Sequence, residues 1–116
     1  MDHEKIFQME LRRVYGLLVD KAVRKGRTRE EVNEIVCWLT GYSPDRLEAS
    51  LATAVSYGDF FRGAPRPAPN RTSIRGAVCG VRVEEIEDLL MREIRYLDKL
   101  IDELARGKPM EKILRK

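Results

Sequence analysis

Residues 74–83, IRGAVCGVRV, contain the residue types that are best suited to chemistry in this chain. Cys79 lies between Arg75 and Arg82, and positive charge near a thiol favours the reactive thiolate. The same arginines also suit an anion, because a guanidinium group binds a phosphate or a carboxylate through two parallel hydrogen bonds. Three interpretations follow: a loop that cradles a phosphate, a reactive thiol in a basic pocket, or a tight backbone segment packed into the core.

The phosphate-loop interpretation fails on spacing. A Walker loop has the pattern G-x-x-x-x-G-K-[ST] and a dinucleotide loop has G-x-G-x-x-G, and the segment matches neither. Anion binding remains at the start of the helix that we predict after Gly80, where backbone N–H groups are unpaired. Glu84 and Glu85 lie in the first turn of that predicted helix and oppose a bound anion. The predicted ligand-binding residues are Asn70, Arg71, Arg75, Cys79 and Arg82.

The reactive-thiol interpretation lacks a base. A cysteine nucleophile needs a positioned group that takes its proton, and the only histidine is His3. We expect residues 1–8 to be frayed, because chain termini are ordered only when something holds them down. Cys79 is then predicted to be a small, buried apolar residue. No catalytic residue, metal ligand set or cofactor is predicted, and an enzyme with an unrecognised site is the second alternative function.

Composition indicates one soluble globular domain over residues 1–116. Apolar residues make up 43% and charged residues 35% of the chain, which is typical of a folded protein. No apolar run approaches the roughly 20 residues that a membrane helix needs, and the N-terminus lacks the apolar segment of a secretory signal. We therefore expect a cytoplasmic protein that does not enter the membrane, in which Cys37 and Cys79 are free thiols.

Basic residues are concentrated in two stretches without acids, residues 21–29 and 60–83. The first stretch resembles a helix–turn–helix junction, so nucleic-acid binding is the first alternative function. The helix that follows opens with Glu30 and Glu31, which would face the phosphates if it were a recognition helix. Nucleic acid is therefore not the favoured partner. The residues of this alternative are Lys21, Arg24, Lys25, Arg27 and Arg29.

Apolar residues recur at three and four positions along most of the chain, which indicates an all-α fold of about four or five helices. The predicted helices cover residues 11–25, 29–40, 44–56 and 83–106. Thr28 and Glu31 form a capping box before the second helix, and Ser43 with Pro44 begins the third. The long helix 83–106 is amphipathic. We expect it to pack within the chain, and its stripe is wide enough to allow a homodimer through this helix as an alternative.

Two segments between the helices have different patterns. Residues 62–75 contain Pro65, Pro67 and Pro69, and we predict an ordered crossing loop because closely spaced prolines favour extended backbone. Residues 74–83 are predicted to form a loop or one short strand, since the segment contains two glycines, Gly76 and Gly80, which are typical of turns.

Four stretches of the sequence resemble a known family. KGRT (25–28), EEVNEIVCWLTGYS (30–43), APNR (68–71) and CGVRVEEIEDLLMREIRYLDKLIDELARGKPMEKILRK (79–116) are similar to an uncharacterised bacterial family, domain of unknown function 2200. The resemblance covers nearly the whole chain and implies one compact, mainly helical bacterial domain. It implies no activity, and no catalytic residue is carried over from it.

The leading functional prediction is a non-enzymatic binding or interaction module. Its predicted site is the basic one that surrounds residues 74–83. Arginines in that site would hold an anionic ligand or an acidic surface of a partner protein.

Overall fold

A computed structural model describes residues 3–115 as a helical protein arranged around one long helix near the C-terminus. In chain order, its elements are α1 (His3–Gln8), α2 (Leu11–Arg24), α3 (Arg29–Thr40), α4 (Pro44–Leu51), α5 (Tyr57–Arg62), a 3-10 helix (Pro69–Ser73), β1 (Ala77–Val78), β2 (Val81–Arg82), a 3-10 turn (Val83–Glu85), α6 (Leu89–Ala105) and α7 (Met110–Ile113). The all-α prediction is confirmed, with one small antiparallel hairpin added. Across the described residues, every helix is too short or too polar to span a lipid bilayer.

Helix α6 supplies the centre of the hydrophobic core. Its inward positions recur at three and four residues, which is the spacing of one helix face. They are Met91, Ile94, Tyr96, Leu97, Leu100, Ile101, Glu103 and Leu104. This face packs against α2, α3, α5, α7 and β1. Burial of each large apolar side chain stabilises the fold by about 1.5–3 kcal/mol.

The apolar stripe of α6 is used within the protein. Leu89 is 72% exposed, whereas the large apolar residues from Leu90 to Leu104 are buried or partly buried. Within the described chain, α6 therefore lacks the spare apolar area on which we based a homodimer through residues 83–106.

The long helix begins later than predicted, at Leu89 rather than at residue 83. Val83 is fully buried and Ile86 is packed against the core, so both residues satisfy the helical spacing without lying in α6. The backbone at Ile86 is extended, and Asp88 is the N-cap whose Oδ1 accepts a hydrogen bond from the N–H of Met91 at 2.9 Å. Gly80 therefore does not lead into this helix.

The predicted bounds of α2 and α3 agree with the structure to within a residue. The capping box is present: the Thr28 hydroxyl accepts from the Glu31 N–H at 3.1 Å, and the Glu31 carboxylate accepts from the Thr28 N–H at 2.9 Å. Helix α4 starts at the predicted Ser43 cap but ends at Leu51, not at residue 56.

Helix α4 stops early because the backbone after it pairs with a distant segment. The Leu11 N–H donates to the Val55 carbonyl at 2.9 Å, and the Tyr57 N–H donates to the Met9 carbonyl at 2.7 Å. This bridge also holds down the N-terminus, where His3–Gln8 form α1 and Phe7 is buried. The expectation of a frayed N-terminus is therefore wrong for these residues, and residues 1 and 2 lie outside the described range.

The proline-rich segment crosses the end of α3, as predicted, and contains the short 3-10 helix that was not predicted. The Arg66 and Ala68 N–H groups donate to the carbonyls of Thr40 and Leu39, at 3.1 and 3.0 Å. Gly41 makes this crossing fit, because a Cβ there would lie 2.5 Å from the Arg66 carbonyl oxygen, and its φ is +84°. Glycine adopts that conformation without steric cost.

Residues 74–83 form a hairpin rather than a single strand. Ala77 pairs with Arg82 and Val78 with Val81, which leaves Cys79 and Gly80 as a two-residue loop. Both loop residues have positive φ, +52° and +80°, as a type I′ turn requires. Val78 is buried against the core, whereas Cys79 is exposed because it lies in the turn at the tip of the hairpin. The prediction that Cys79 is buried is wrong.

Charged groups fasten the C-terminal segment to the end of α6. Glu103 is buried, and its carboxylate accepts two hydrogen bonds from the Arg115 guanidinium, at 2.7 and 2.8 Å. Lys108 lies 3.5 Å from the same carboxylate. Arg27 donates to the carbonyls of Leu104 and Lys108, at 3.3 and 2.9 Å, and so ties the α2–α3 turn to the same end of α6.

We expect Arg115→Ala to lower the free energy of unfolding by about 2–4 kcal/mol, because it leaves the buried Glu103 carboxylate without its main partner. The matched control is Arg106→Ala, since Arg106 also pairs with a carboxylate on α6, that of Asp102, but is 79% exposed. An exposed pair contributes less than about 1 kcal/mol. Urea denaturation measures the free energy of unfolding of both variants. Equal losses would contradict a stabilising role for the buried Glu103–Arg115 pair.

Candidate functional site

The structure places Arg71 in an internal ion pair. Its guanidinium donates to both carboxylate oxygens of Glu93, at 2.8 and 3.0 Å, and to the Ala68 carbonyl at 2.9 Å. A bidentate pair of this kind is the strong form of the contact. Arg71 therefore joins the proline-rich segment to α6, while Asn70 beside it is exposed.

The hairpin arginines differ from each other. Arg82 lies 3.2 Å from the Glu84 carboxylate and 3.7 Å from that of Glu85. Arg75 is exposed and has no hydrogen-bond or ion-pair partner in the described part of the chain. Of the predicted basic site, the hairpin segment thus leaves one uncompensated arginine, while Cys79 is exposed at the tip of the hairpin.

The hairpin already holds an anion of its own. The Gly76 N–H donates to Glu84 Oε2 at 3.2 Å, and Arg82 Nη2 lies 3.2 Å from the other carboxylate oxygen, Oε1. Hydrogen bonds from the backbone N–H groups of Glu84 itself and of Gly76 lower the pKa of this carboxyl, and Arg82 adds to the effect. The backbone and arginine that were predicted to cradle a ligand thus contact Glu84.

Most basic residues of the 21–29 stretch also have internal partners. Arg27 pairs with Glu31 at 2.7 Å, and this hydrogen bond lowers the pKa of Glu31. Lys21 lies 3.6 Å from Asp102, and Arg29 lies 3.3 Å from Glu48. Within the range that the structure describes, Arg24 and Lys25 are the members of the stretch without such partners.

A groove of about 480 Å³ opens along the outer face of α3, and we call it the α3 groove. It is lined by Glu30, Asn33, Glu34, Cys37, Trp38, Pro44 and Leu114. The α3 members lie three and four positions apart, so they share one face of the helix. The opposite face, with Val32, Ile35, Val36 and Leu39, is buried in the core.

The polar half of the α3 groove is formed by side chains that accept hydrogen bonds and have no partner in the part of the chain that the structure describes. Asn33 Oδ1 is buried and has no hydrogen-bond donor in the described structure. The carboxylates of Glu30 and Glu34 are exposed and make no ion pair with a described residue. Two like charges four positions apart on a helix repel each other. All three groups accept hydrogen bonds, so the arrangement is complementary to a cationic donor.

The other half of the α3 groove is apolar. Trp38 and Cys37 are half-buried there, and burial raises the pKa of the Cys37 thiol. Leu114 reaches the groove from the segment that Arg115 and Glu103 fasten to α6. The two walls are therefore held in place by separate contacts with the core helix.

The α3 groove was not predicted from the sequence. The available signal was the spacing of Glu30, Glu34 and Trp38, which places an indole on the polar face of an amphipathic helix. The unpaired state of Asn33 and the contribution of Leu114 depend on tertiary structure. As for metals, the described residues contain no group of three or more histidine, cysteine or acidic side chains placed to hold an ion.

Comparison with known proteins identifies relatives without assigning an activity. No curated protein matches the chain. The crystal structure of uncharacterized protein SP1917 is similar, with a TM-score of 0.94 and 48% identity, over 98% of this chain and 93% of that chain. The sequence profile of domain of unknown function 2200, described as an uncharacterised protein conserved in bacteria, matches residues 5–115. The resemblance is thus confirmed: the chain belongs to this uncharacterised family of conserved bacterial proteins.

Proposed function

We propose that the protein is an interaction module whose α3 groove binds a basic, amphipathic segment of a partner protein. The observation that carries the proposal is the buried Asn33 carbonyl oxygen without a donor, in a groove rimmed by two unpaired carboxylates. This proposal agrees with the function class that we favoured from the sequence, a non-enzymatic binding module. Its favoured site moves from the basic hairpin to an acidic groove.

The unpaired oxygen of Asn33 makes the free groove less stable than a groove in which this oxygen has a donor. A buried polar atom without a partner costs about 1–3 kcal/mol. Rotation of the Asn33 amide towards the groove would let a guanidinium or ammonium N–H reach Oδ1 and remove this cost. The same cation relieves the repulsion between Glu30 and Glu34. Binding therefore releases free energy that the isolated protein stores in the groove.

The apolar half of the α3 groove favours a protein segment over a small amine. A cation held near an indole gains about 0.5–1 kcal/mol at an exposed site, and Trp38 supplies that ring. Pro44 and Leu114 provide apolar surface for side chains beside the cation. A free amine would leave this surface uncovered, whereas apolar neighbours of an arginine in a peptide bury it.

Trp38 is the single tryptophan of the chain, so its fluorescence reports directly on the α3 groove. We expect a short acetylated peptide with one arginine flanked by leucines to shift the emission and to saturate. The same peptide with citrulline, which has the shape of arginine without its charge, should bind about tenfold more weakly. Two exposed ion pairs of up to about 1 kcal/mol each give a loss of that size.

Two double variants each remove two negative charges, one inside the α3 groove and the other outside it. Glu30→Gln/Glu34→Gln should weaken the arginine peptide about tenfold, on the same reasoning. Asp20→Asn/Glu87→Gln makes the same change in net charge at exposed positions outside the groove and should leave the affinity unchanged. Equal effects of the two variants, or equal binding of the citrulline peptide, would refute this site. Tighter binding of arginine amide alone would point to a small-molecule ligand instead.

An anion site at the hairpin, formed by Asn70, Arg71, Arg75, Cys79 and Arg82, is the second candidate. The observation that favours it is the exposed Arg75, which has no ionic partner in the described chain. The carboxylate of Glu84 stands where a ligand anion would have to bind. Nucleic-acid binding through residues 21–29 has weaker support, from Arg24 and Lys25.

We expect Glu84→Ala to strengthen the binding of phosphorylated and carboxylate metabolites, because it frees the Gly76 N–H and removes the nearer carboxylate from the Arg82 guanidinium. The gain should appear as a rise of several degrees in thermal midpoint on adding saturating ligand, since a ligand that binds only the folded state stabilises it. Arg75→Ala/Arg82→Ala should abolish the rise. If the rise persists when these two substitutions are added to the Glu84 variant, the hairpin is not an anion site.

A further inference from the structure

A second cavity, of about 250 Å³, lies between the hairpin, α1 and α6, and we call it the thiol cavity. It is lined by His3, Cys79, Val81, Ile86, Met91 and Arg95. The single histidine of the chain and its exposed cysteine therefore line the same cavity. The sequence argument against a reactive Cys79 was the lack of a positioned base, and this lack depended on a frayed N-terminus that the structure replaces with α1.

A carboxylate lies near His3. The Nδ1 atom lies 3.8 Å from Oδ2 of Asp88, and Asp88 is itself fixed as the N-cap of α6. A carboxylate beside one ring nitrogen leaves the other nitrogen to take a proton. Cys79 and His3 thus supply two parts of an activated nucleophile, the attacking atom and its base, and Asp88 places a carboxylate near the base.

Arg95 places positive charge at the same cavity. Its side chain is 14% exposed, and its Nη1 donates to Asp98 at 2.8 Å, which holds the guanidinium against α6. A guanidinium in a sheltered site favours a carboxylate ligand. The charged groups that face His3 and the thiol cavity, together with the adjoining groove, are Arg82, Glu85, Glu87, Asp88 and Arg95.

We propose that Cys79 is a nucleophile for a small electrophile that carries a carboxylate, with His3 as its base and Arg95 as the group that orients the carboxylate. In the reaction, the Cys79 proton passes to His3 and the sulfur forms a bond to the electrophilic carbon. The leaving group departs with its electron pair and takes up the proton from His3. The product is a covalent thioester or thioether, so the activity goes beyond the α3 groove and does not depend on it.

The test compares iodoacetate and iodoacetamide, which differ in charge and alkylate the same sulfur with loss of iodide. In Cys37→Ser protein, Cys79 is the remaining thiol. At pH 7, we expect it to react with iodoacetate at least about tenfold faster than free cysteine, whose thiol is mostly protonated at that pH. The ratio of the iodoacetate rate to the iodoacetamide rate should also exceed that of free cysteine.

Variants separate the roles of the three groups. His3→Gln should lower both rates about tenfold or more at pH 7, since a positioned base contributes at least that much, whereas Lys5→Gln on the same helix should not. Arg95→Gln/Asp98→Asn should return the reagent ratio to the value for free cysteine, with folding checked by thermal melting. The proposal is overturned if Cys79 in the Cys37→Ser protein has the same alkylation rate, or the same ratio of iodoacetate to iodoacetamide rates, as free cysteine. An unchanged rate in His3→Gln also overturns it.

Discussion

Burial of the apolar face of α6 is the interaction on which the other elements depend. Four helices and the first hairpin strand each pack against this face, and none of them is long enough to be stable alone in water. The ends of α6 are fixed by polar contacts as well, through the Asp88 cap at its start and Glu103 near its end. The helix therefore sets where each candidate site can lie.

Both cavities are built at the ends of this frame. The α3 groove takes Leu114 from the segment that Glu103 and Arg115 attach to the C-terminal end of α6. The thiol cavity takes Met91 and Arg95 from the N-terminal half of the same helix. A rigid helix that holds the walls of a site is a more precise support than a loop. The two proposals are chemically independent, because one requires acceptors and the other requires a thiolate.

Local chemistry was predictable and distant pairing was not. The Thr28 capping box and the Ser43 cap involve residues three positions apart, so the sequence pattern alone indicates them. The end of α4 depends on pairing between Val55 and Leu11. Val83 fits the apolar spacing of α6 although it lies outside the helix, because tertiary packing buries it there. The predicted start of α6 was therefore too early. The family resemblance and the all-α class are confirmed, while the hairpin and the order of the N-terminus required the structure.

The same distinction applies to the sites. Arginine-rich stretches predicted a basic surface, but Arg27, Arg71 and Arg82 find acidic partners that the sequence places 2 to 22 positions away. Glu30 and Glu34 find no such partner among the described residues, and they are more informative than the cations because they share one groove. An unpaired buried acceptor such as Asn33 Oδ1 becomes visible only when every neighbouring donor has been located.

The central claim is that recognition occurs at the α3 groove. The most direct measurement is amide chemical-shift mapping by NMR during titration with the arginine peptide. The account predicts the largest shifts at residues 30–38 of α3 and at Leu114. Shifts that cluster instead in residues 21–29 or 70–82, or that fail to saturate, would contradict it.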